Sequence, residues 1–337
     1  MKVLALSDSL APWHSFWIRF GQYADALPWP VTISNDPSNI ADLQAGDRLL
    51  IYRYSCDWGD LTAQLRTAHR QGVVILSDVD DYLWQACGWS RERLRGCTNM
   101  LRLCHALSCS TGALMAQLQV MFPTVPMQVL ANSAPKHQLQ RPPSSPDEPL
   151  RIGWTGAPWI RPADLELLRP LAAWIAERPQ QLRLVHVGHA EGYLSLAEAL
   201  ALPKQLVETV PLQSHGDYVR SFRFDIGLAP LASNSFNRFK SAIKVIEYSS
   251  QAIPWLASDV DPYRELCRRW QWSGRLCQSP SAWINHLIPL LDHNLWSAEA
   301  QALHRLCQEH ASYGDGVNRW RQLLSWQPAN LLNSSAA

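Results

Sequence analysis

The sequence predicts an α/β protein built from two doubly wound parallel sheets, each flanked by helices. Three observations carry that expectation. Short apolar runs alternate with longer helical stretches along the chain, which is the pattern of βαβ units. The chain has 337 residues, room for roughly two domains of about 150 residues each. A Pro-rich polar stretch, Pro135 to Pro149, splits the alternation into two series and reads as a linker. Two such units place a cleft where the carboxyl ends of the sheets face each other, the end at which such sheets bind ligands.

In the first series, taken as 1–134, strands are expected at Val3–Ser7, Arg48–Tyr52, Val73–Ser77, Ala106–Cys109 and Gln128–Leu130. Helices are expected near Phe16–Leu27, Leu61–Gln71, Ser90–Leu103 and Thr111–Met121. The second series, 150–296, gives strands at Leu150–Trp154, Leu182–Val187, Val207–Thr209, Ile226–Pro230, Trp255–Ser258 and Gly274–Leu276. Its helices fall at Pro162–Glu177, Gly216–Phe222, Phe239–Ser250, Pro262–Arg269 and Ser279–Leu291. Two further helices, Ser297–Gln308 and Gly316–Trp326, occupy 297–329, and Asn330 to Ala337 reads as a frayed end.

The composition narrows the function classes. An apolar share of 47% with 18% charged residues excludes disorder for most of the chain. Thirty Lys and Arg against 29 Asp and Glu leave a net charge of +1, which argues against a nucleic-acid partner. No run of about 18 apolar residues exists, so no spanning helix is expected. The opening apolar run is too short for a signal peptide, and a cytoplasmic location follows by default. The eight cysteines include no CxxC pair. Cys97, Cys104, His105 and Cys109 cluster, but read as packed thiols rather than a metal site. Of the 16 Trp, those near expected strand ends (Trp13, Trp17, Trp58, Trp84, Trp89, Trp154, Trp159) suit either core packing or sugar stacking.

The chemistry-bearing stretch runs from Asp225 to Tyr248. An apolar strand ends at Pro230, a polar loop follows, and a helix is expected to open near Asn237, a good N-cap. On that helix Lys240, Lys244 and Glu247 share one face at spacings of four and three. Free N–H groups at the helix start, with Lys240 one turn in, suit a diphosphate. Glu247 can accept two hydroxyl hydrogen bonds, as a ribose offers. An exposed face with one ion pair is the plain alternative.

The same string resembles the GT-B glycosyltransferases of the retaining group 1 type, glycosyltransferase family 4-like. The resemblance rests on Asp225-Ile226-Gly227-Leu228, Phe236-Asn237, Lys240-Ser241, Lys244, Glu247-Tyr248, Ile253 to Asp259 and Pro262-Tyr263. Arg151 to Gly156, Asp164-Leu165 and Leu184 to Gly188 agree in order, as do Ser108 to Thr111 and Val129 to Asn132. It implies two Rossmann-like domains, the first for an acceptor and the second for a nucleotide-diphosphate sugar as co-substrate, with no cofactor and no metal. Thr155, Gly156, Asn237, Lys240, Ser241, Lys244 and Glu247 would then hold the donor, and Lys240 would stabilise the departing diphosphate. The acceptor, whether glycan, lipid or small molecule, stays open, as does oligomeric state. The last helix would cross back to the first domain. Two departures stand out. Many members carry a second Glu eight residues before Glu247, where this chain has Phe239, and their usual glycine aligns with Ala252.

Asp78-Val79-Asp80-Asp81 follows an apolar run. By resemblance to a subset with D-x-D-D-x-L-W, Asp80 and Asp81 would face the cleft, Asp80 as an acceptor-orienting group or weak base. The same string also fits a haloacid-dehalogenase-like phosphatase, with Asp78 as nucleophile and Mg²⁺ on the phosphate. It fits the divalent-metal D-x-D of the GT-A architecture, or a loop cap. His14 and Arg19 follow the first strand and are acceptor-side candidates, with Ser15 beside them. Arg53 follows another strand, and His186 and His189 flank the end of a third. A catalytically inactive GT-B-like binding or scaffold protein is the alternative to an enzyme.

Overall fold

The computed structural model describes residues 1–11, 14–53, 58–85, 89–138, 148–188, 194–211 and 218–328. The chain folds as two units. The first comprises Met1–Asn132, Phe239–Ser241 and the chain from Gly314; the second comprises Ser133–Arg238 and Ala242–Tyr313. The unit boundary thus falls ahead of the expected linker. Ser133 and Ala134 are buried, and the Ala134 N–H donates to the Ala311 carbonyl at 2.7 Å. Residues 139–147 of that linker lie outside the described residues, as do Trp13, His189, the opening of the helix expected at Gly216 and the end from 329.

In the first unit the strands are β1 (Val3–Ser7), β2 (Val31–Ser34), β3 (Arg48–Tyr52), β4 (Val74–Val79), β5 (Ala106–Cys109) and β6 (Met127–Val129). All pair in parallel, in the order β2-β1-β3-β4-β5-β6. Edge strand β2 was missed because its four residues are only partly buried. The helices are α1 (Ser15–Arg19), α2 (Thr62–Arg70), α3 (Arg91–Arg102) and α4 (Gly112–Met121). The expected Phe16–Leu27 helix is shorter, because the chain tightens into a 3₁₀ turn at Gly21–Ala26. Ser90 and Thr111 cap α3 and α4, accepting from Arg93 N and Leu114 N.

The second unit repeats the plan with β7 (Leu150–Thr155), β8 (Leu182–Val187), β9 (Val207–Val210), β10 (Ile226–Ala229), β11 (Trp255–Ser258) and β12 (Leu276–Cys277). Their order is β12-β11-β10-β7-β8-β9. The helices are α5 (Pro162–Glu166), α6 (Arg169–Ala176), α7 (Leu196–Leu200), α8 (Ile243–Ser250), α9 (Asp261–Arg269), α10 (Pro280–Leu287) and α11 (His293–His310). Helix α7 was not expected, although Ser195 and Glu198 form a reciprocal capping box that the sequence carries. Successive side chains of a strand point to opposite faces. Accordingly Leu184, Ile226, Leu228 and Leu256 enter one buried cluster, and Val185, Ala229, Trp255 and Ala257 the other.

The last helix, α12 (Tyr313–Ser325), packs with the first unit over most of its length. Trp320 is fully buried, its indole N–H donating to Arg19 O at 2.7 Å. The end of the helix is closed by a buried arginine: Arg48 Nε donates to Leu324 O at 2.8 Å, and Nη2 to Trp326 O at 3.2 Å. Burial lowers the pKa of Arg48. Arg48→Met is expected to leave those carbonyls unpaired and destabilise the helix end by about 1–3 kcal/mol. Amide hydrogen exchange would report this as faster exchange confined to the last turns of α12.

Candidate functional site

In an open parallel sheet, ligands bind beyond the carboxyl ends of the strands, where the strand order reverses. In the second unit that point lies between β7 and β10, and in the first between β1 and β3. Each reversal carries a cluster of polar side chains.

In the second unit, β7 ends in Thr155-Gly156. Gly156 has φ +147, a region side chains rarely adopt. The facing Gly188 is also obligatory, since a β-carbon there would lie 2.2 Å from Gly156 O. His186 holds the loop through Nε2 to Gly156 O at 2.9 Å and stacks on the buried Trp154. Burial lowers its pKa, so it is neutral. Lys244, in the first turn of α8, donates to Thr155 O and, at 2.9 Å, to Thr155 Oγ1. One turn on, Glu247 is buried and accepts from the Tyr218 hydroxyl at 3.0 Å; that hydroxyl lies 3.2 Å from Thr155 Oγ1. Burial pushes the Glu247 carboxyl up to about 7, against the opposing pull of Lys244. Thr155, Gly156, Lys244 and Glu247 are therefore brought together.

Asn237 is not the cap of this helix. Helix α8 opens at Ile243, with Ala242 as its N-cap and no side-chain cap. Asn237–Phe239 forms a 3₁₀ turn instead. The reason is local competition: Asn237 Nδ2 donates to Asp164 Oδ1 (3.0 Å) and Ala232 O (2.9 Å), while its N–H is taken by Asn234 Oδ1 (2.7 Å). The buried Asp164 also accepts from Ala232 N at 2.7 Å, so it clamps the whole loop after β10. The single helical face expected for Lys240, Lys244 and Glu247 does not exist, because Lys240 precedes the helix.

Lys240 and Ser241 belong to the first unit. Lys240 Nζ donates to Asp81 Oδ1 at 2.7 Å, and Ser241 Oγ accepts from Asn132 Nδ2 at 2.6 Å. Phe239 is buried in the first core against Tyr82, 4.8 Å between ring centres. The position where the family resemblance led to the expectation of a further Glu thus serves packing here.

The first unit's cluster centres on Asp80. It accepts from Tyr52 OH at 2.7 Å and from Arg53 Nε and Nη2 at 3.1 and 3.0 Å. Tyr52 OH also lies 2.6 Å from Ser15 Oγ. Arg53 has φ +50, an uncommon backbone state for a side-chain-bearing residue, and it turns the guanidinium onto both Asp80 and Asp81. His14 packs edge-on to Tyr52, with Nε2 3.3 Å from Asp8 Oδ1. Burial, reinforced by Arg53, lowers His14 to about 4, so it is uncharged at neutral pH. Tyr52, Asp8 and Arg93 are members that sequence reasoning missed. Their signal was position, at the last residue of a strand (Tyr52), just past one (Asp8) or in the first turn of α3 (Arg93).

Arg19 does not fit the acceptor-side role. It is 3% exposed, paired to both oxygens of Asp78 at 2.8 and 2.7 Å, and it donates to Leu130 O and Asn132 Oδ1. Asp78 is equally buried and also accepts from Ser108 at 2.6 Å. A saturated, buried Asp78 cannot attack a phosphate ester, so the phosphatase geometry is not met. Among the described residues no three His, Cys, Asp or Glu side chains gather as metal ligands. His105 Nδ1 is instead engaged by Ile75 N at 3.0 Å, its ring stacked on His69. Trp154 is core, and Trp58, Trp84 and Trp89 pack partly buried on the first core.

Two six-stranded parallel sheets wound with helices, each with a polar cluster at its order reversal, are the GT-B fold. No protein-family model matches the sequence, and no curated protein is similar to it in sequence. Similar solved structures include Anabaena HepE in complex with UDP and glucose, 14% identical, with a TM-score of 0.67 over 97% of this chain and 100% of that one. They also include WaaG, a glycosyltransferase involved in lipopolysaccharide biosynthesis, 14% identical, TM-score 0.62 over 96% and 100%. A glycosyltransferase from Rickettsia africae is 9% identical, TM-score 0.62 over 96% and 97%. At these identities the likeness establishes the fold. Among the described residues no helix is long and apolar enough to cross a membrane.

Proposed function

We propose that this protein is a glycosyltransferase that takes a sugar from a nucleoside-diphosphate donor to an acceptor hydroxyl, with retention as the family resemblance implies. The observation that carries this reading is the Thr155–Lys244–Glu247 cluster at the reversal of the second sheet, its Thr155 and Glu247 buried and Lys244 half-buried. Glu247 accepts the ribose hydroxyls. Lys244, the Gly156 loop and the N–H groups opening α8 hold the diphosphate, where helix and ammonium charge stabilise the leaving group. Asp80, Asp81 and Lys240 form the reacting end of the first unit, with His14 on its acceptor side. No cofactor and no metal are needed for these steps, and the protein acts in the cytoplasm.

Calorimetric titration with UDP and GDP tests the donor site. Lys244→Ala is expected to weaken nucleotide binding by about tenfold or more, as loss of a charge-assisted hydrogen bond does. Unchanged binding of every nucleotide would remove the basis of the assignment. A binding protein without turnover is the second reading, favoured by Phe239 at the place of the missing Glu. Intact nucleotide binding with no hydrolysis or transfer across a panel of nucleotide sugars would select it.

A further inference from the structure

Lys244 and Glu247 lie three residues apart on α8, the spacing of a helical ion pair. No such pair forms. The Lys244 ammonium is engaged by Thr155, donating to its carbonyl and, at 2.9 Å, to its Oγ1. Glu247 is buried, and its carboxylate takes one hydrogen bond from the described residues: the Tyr218 hydroxyl donates to Oε2 at 3.0 Å. Oε1 receives none from them. The last side-chain torsion of a glutamate is soft. A single hydrogen bond therefore decides where the second oxygen points.

The donor of that bond is itself held firmly. The Tyr218 ring packs on the core of the second unit and meets Phe222 edge-on, 4.9 Å between ring centres. Phe222 is fully enclosed and packs in turn on Phe224 and on Tyr248, the neighbour of Glu247 in α8. The hydroxyl end also lies 3.2 Å from Thr155 Oγ1, the atom that Lys244 holds. Tyr218 thus ties the carboxylate both to the aromatic core and to the end of β7.

Electrostatics agree with this geometry. A hydroxyl donating to a carboxylate favours its ionised form, against the burial that raises Glu247. Burial, reinforced by the Glu247 charge, raises the pKa of Tyr218 well above its ordinary value, so the hydroxyl keeps its proton. The other titratable groups facing Glu247 are Lys244 and Tyr248 on α8 and Tyr263 on α9. Burial raises both tyrosines, which stay neutral, and the Tyr248 hydroxyl is turned to Leu228 O at 3.0 Å.

We infer that Tyr218 is a positioning residue of the donor site, whose hydroxyl holds Glu247 Oε2 and thereby presents Oε1 to the ribose of a nucleoside diphosphate. This rests on the reading above, in which Glu247 takes the ribose. The test is calorimetric titration of Tyr218→Phe with UDP, or with GDP should that nucleotide bind the better, across pH 5 to 9. The variant keeps the ring and its contact with Phe222 and removes one oxygen; near-ultraviolet circular dichroism checks that the packing is kept. Affinity at pH 7 is expected to fall about fivefold or more, and the pH of half-maximal binding to rise by about one unit. In a Glu247→Ala background the same replacement is expected to change affinity by less than about twofold, because no carboxylate is left to hold. An unmoved pH profile would overturn the positioning role. So would an equal loss in the Glu247→Ala background, which would show the hydroxyl acting on the nucleotide or on the fold directly. Absence of UDP and GDP binding in the wild-type protein would instead overturn the glycosyltransferase reading itself.

Discussion

Glu247→Gln is expected to weaken UDP binding by about 1.5–3 kcal/mol, the range for hydrogen bonds to a charged group, or roughly 10- to 150-fold in Kd. The amide keeps the shape of the side chain but replaces one of the two acceptor oxygens. The wild-type site carries a pH signature that separates this effect from misfolding. Burial holds the Glu247 carboxyl near pKa 7, well above its ordinary 4.5. Ribose hydroxyls donate to the ionised form, so UDP binding strengthens as pH rises toward 7 and levels off above it. Binding then drives a proton off the protein, which calorimetry in buffers of different ionisation enthalpy detects. Stability runs the other way. Between pH 4.5 and 7 the native state keeps a proton that the unfolded chain releases, so the group's contribution is complete below 4.5 and is lost as pH rises through 7. Glu247→Gln is expected to flatten the protein's share of both profiles.

The largest effect on stability is expected at the buried Arg19–Asp78 pair. Both side chains are almost wholly enclosed, 2% and 0% exposed, and joined by two hydrogen bonds. Asp78→Asn leaves the guanidinium charge buried without its counter-charge, at a cost of about 3–5 kcal/mol. Hydrogen exchange in β4 and β5 should rise strongly, while the strands of the second unit keep their protection. The double replacement Arg19→Met with Asp78→Leu removes both charges and is expected to recover much of the loss. An equally large loss in the double variant would show that packing volume, rather than the unpaired charge, sets the cost.

Much of the fold was legible because it depends on local rules. The runs at Val3–Ser7, Arg48–Tyr52, Ala106–Cys109, Leu182–Val187 and Trp255–Ser258 are strands with those bounds. They are mostly apolar and, Arg183 apart, buried on both faces, as parallel strands require. Helices with a Ser or Thr cap, such as those after Ser90, Thr111 and Ser279, were placed within a residue or so of their starts. The start of α8 was misplaced because Asn237 spends its amide on Asp164, 73 residues earlier in the chain. Strand β2 was missed because an edge strand of four partly buried residues carries little apolar signal.

The candidate site was legible to a different degree. Lys244 and Glu247 keep the spacing that brought them to notice, since both lie within α8. Asp81 and Lys240 were each singled out, yet their pairing joins residues 159 apart, and no local pattern contains it. Arg19 looked like a ligand group and proved to be a core ion pair, because its partner Asp78 lies 59 residues away.

By itself the sequence determined which segments become strands and helices, and that two parallel sheets follow one another. Those outcomes depend on apolar periodicity, caps and turns within a few residues. Only the tertiary structure decided strand order, and with it which strand ends are neighbours. Setting β3 beside β1 brings Tyr52 and Arg53 alongside Asp8 and His14, and β4 next to β3 adds Asp80. Hydrogen bonds and ion pairs act over about 3 Å, so partners that far apart in sequence become partners only once the sheet has formed.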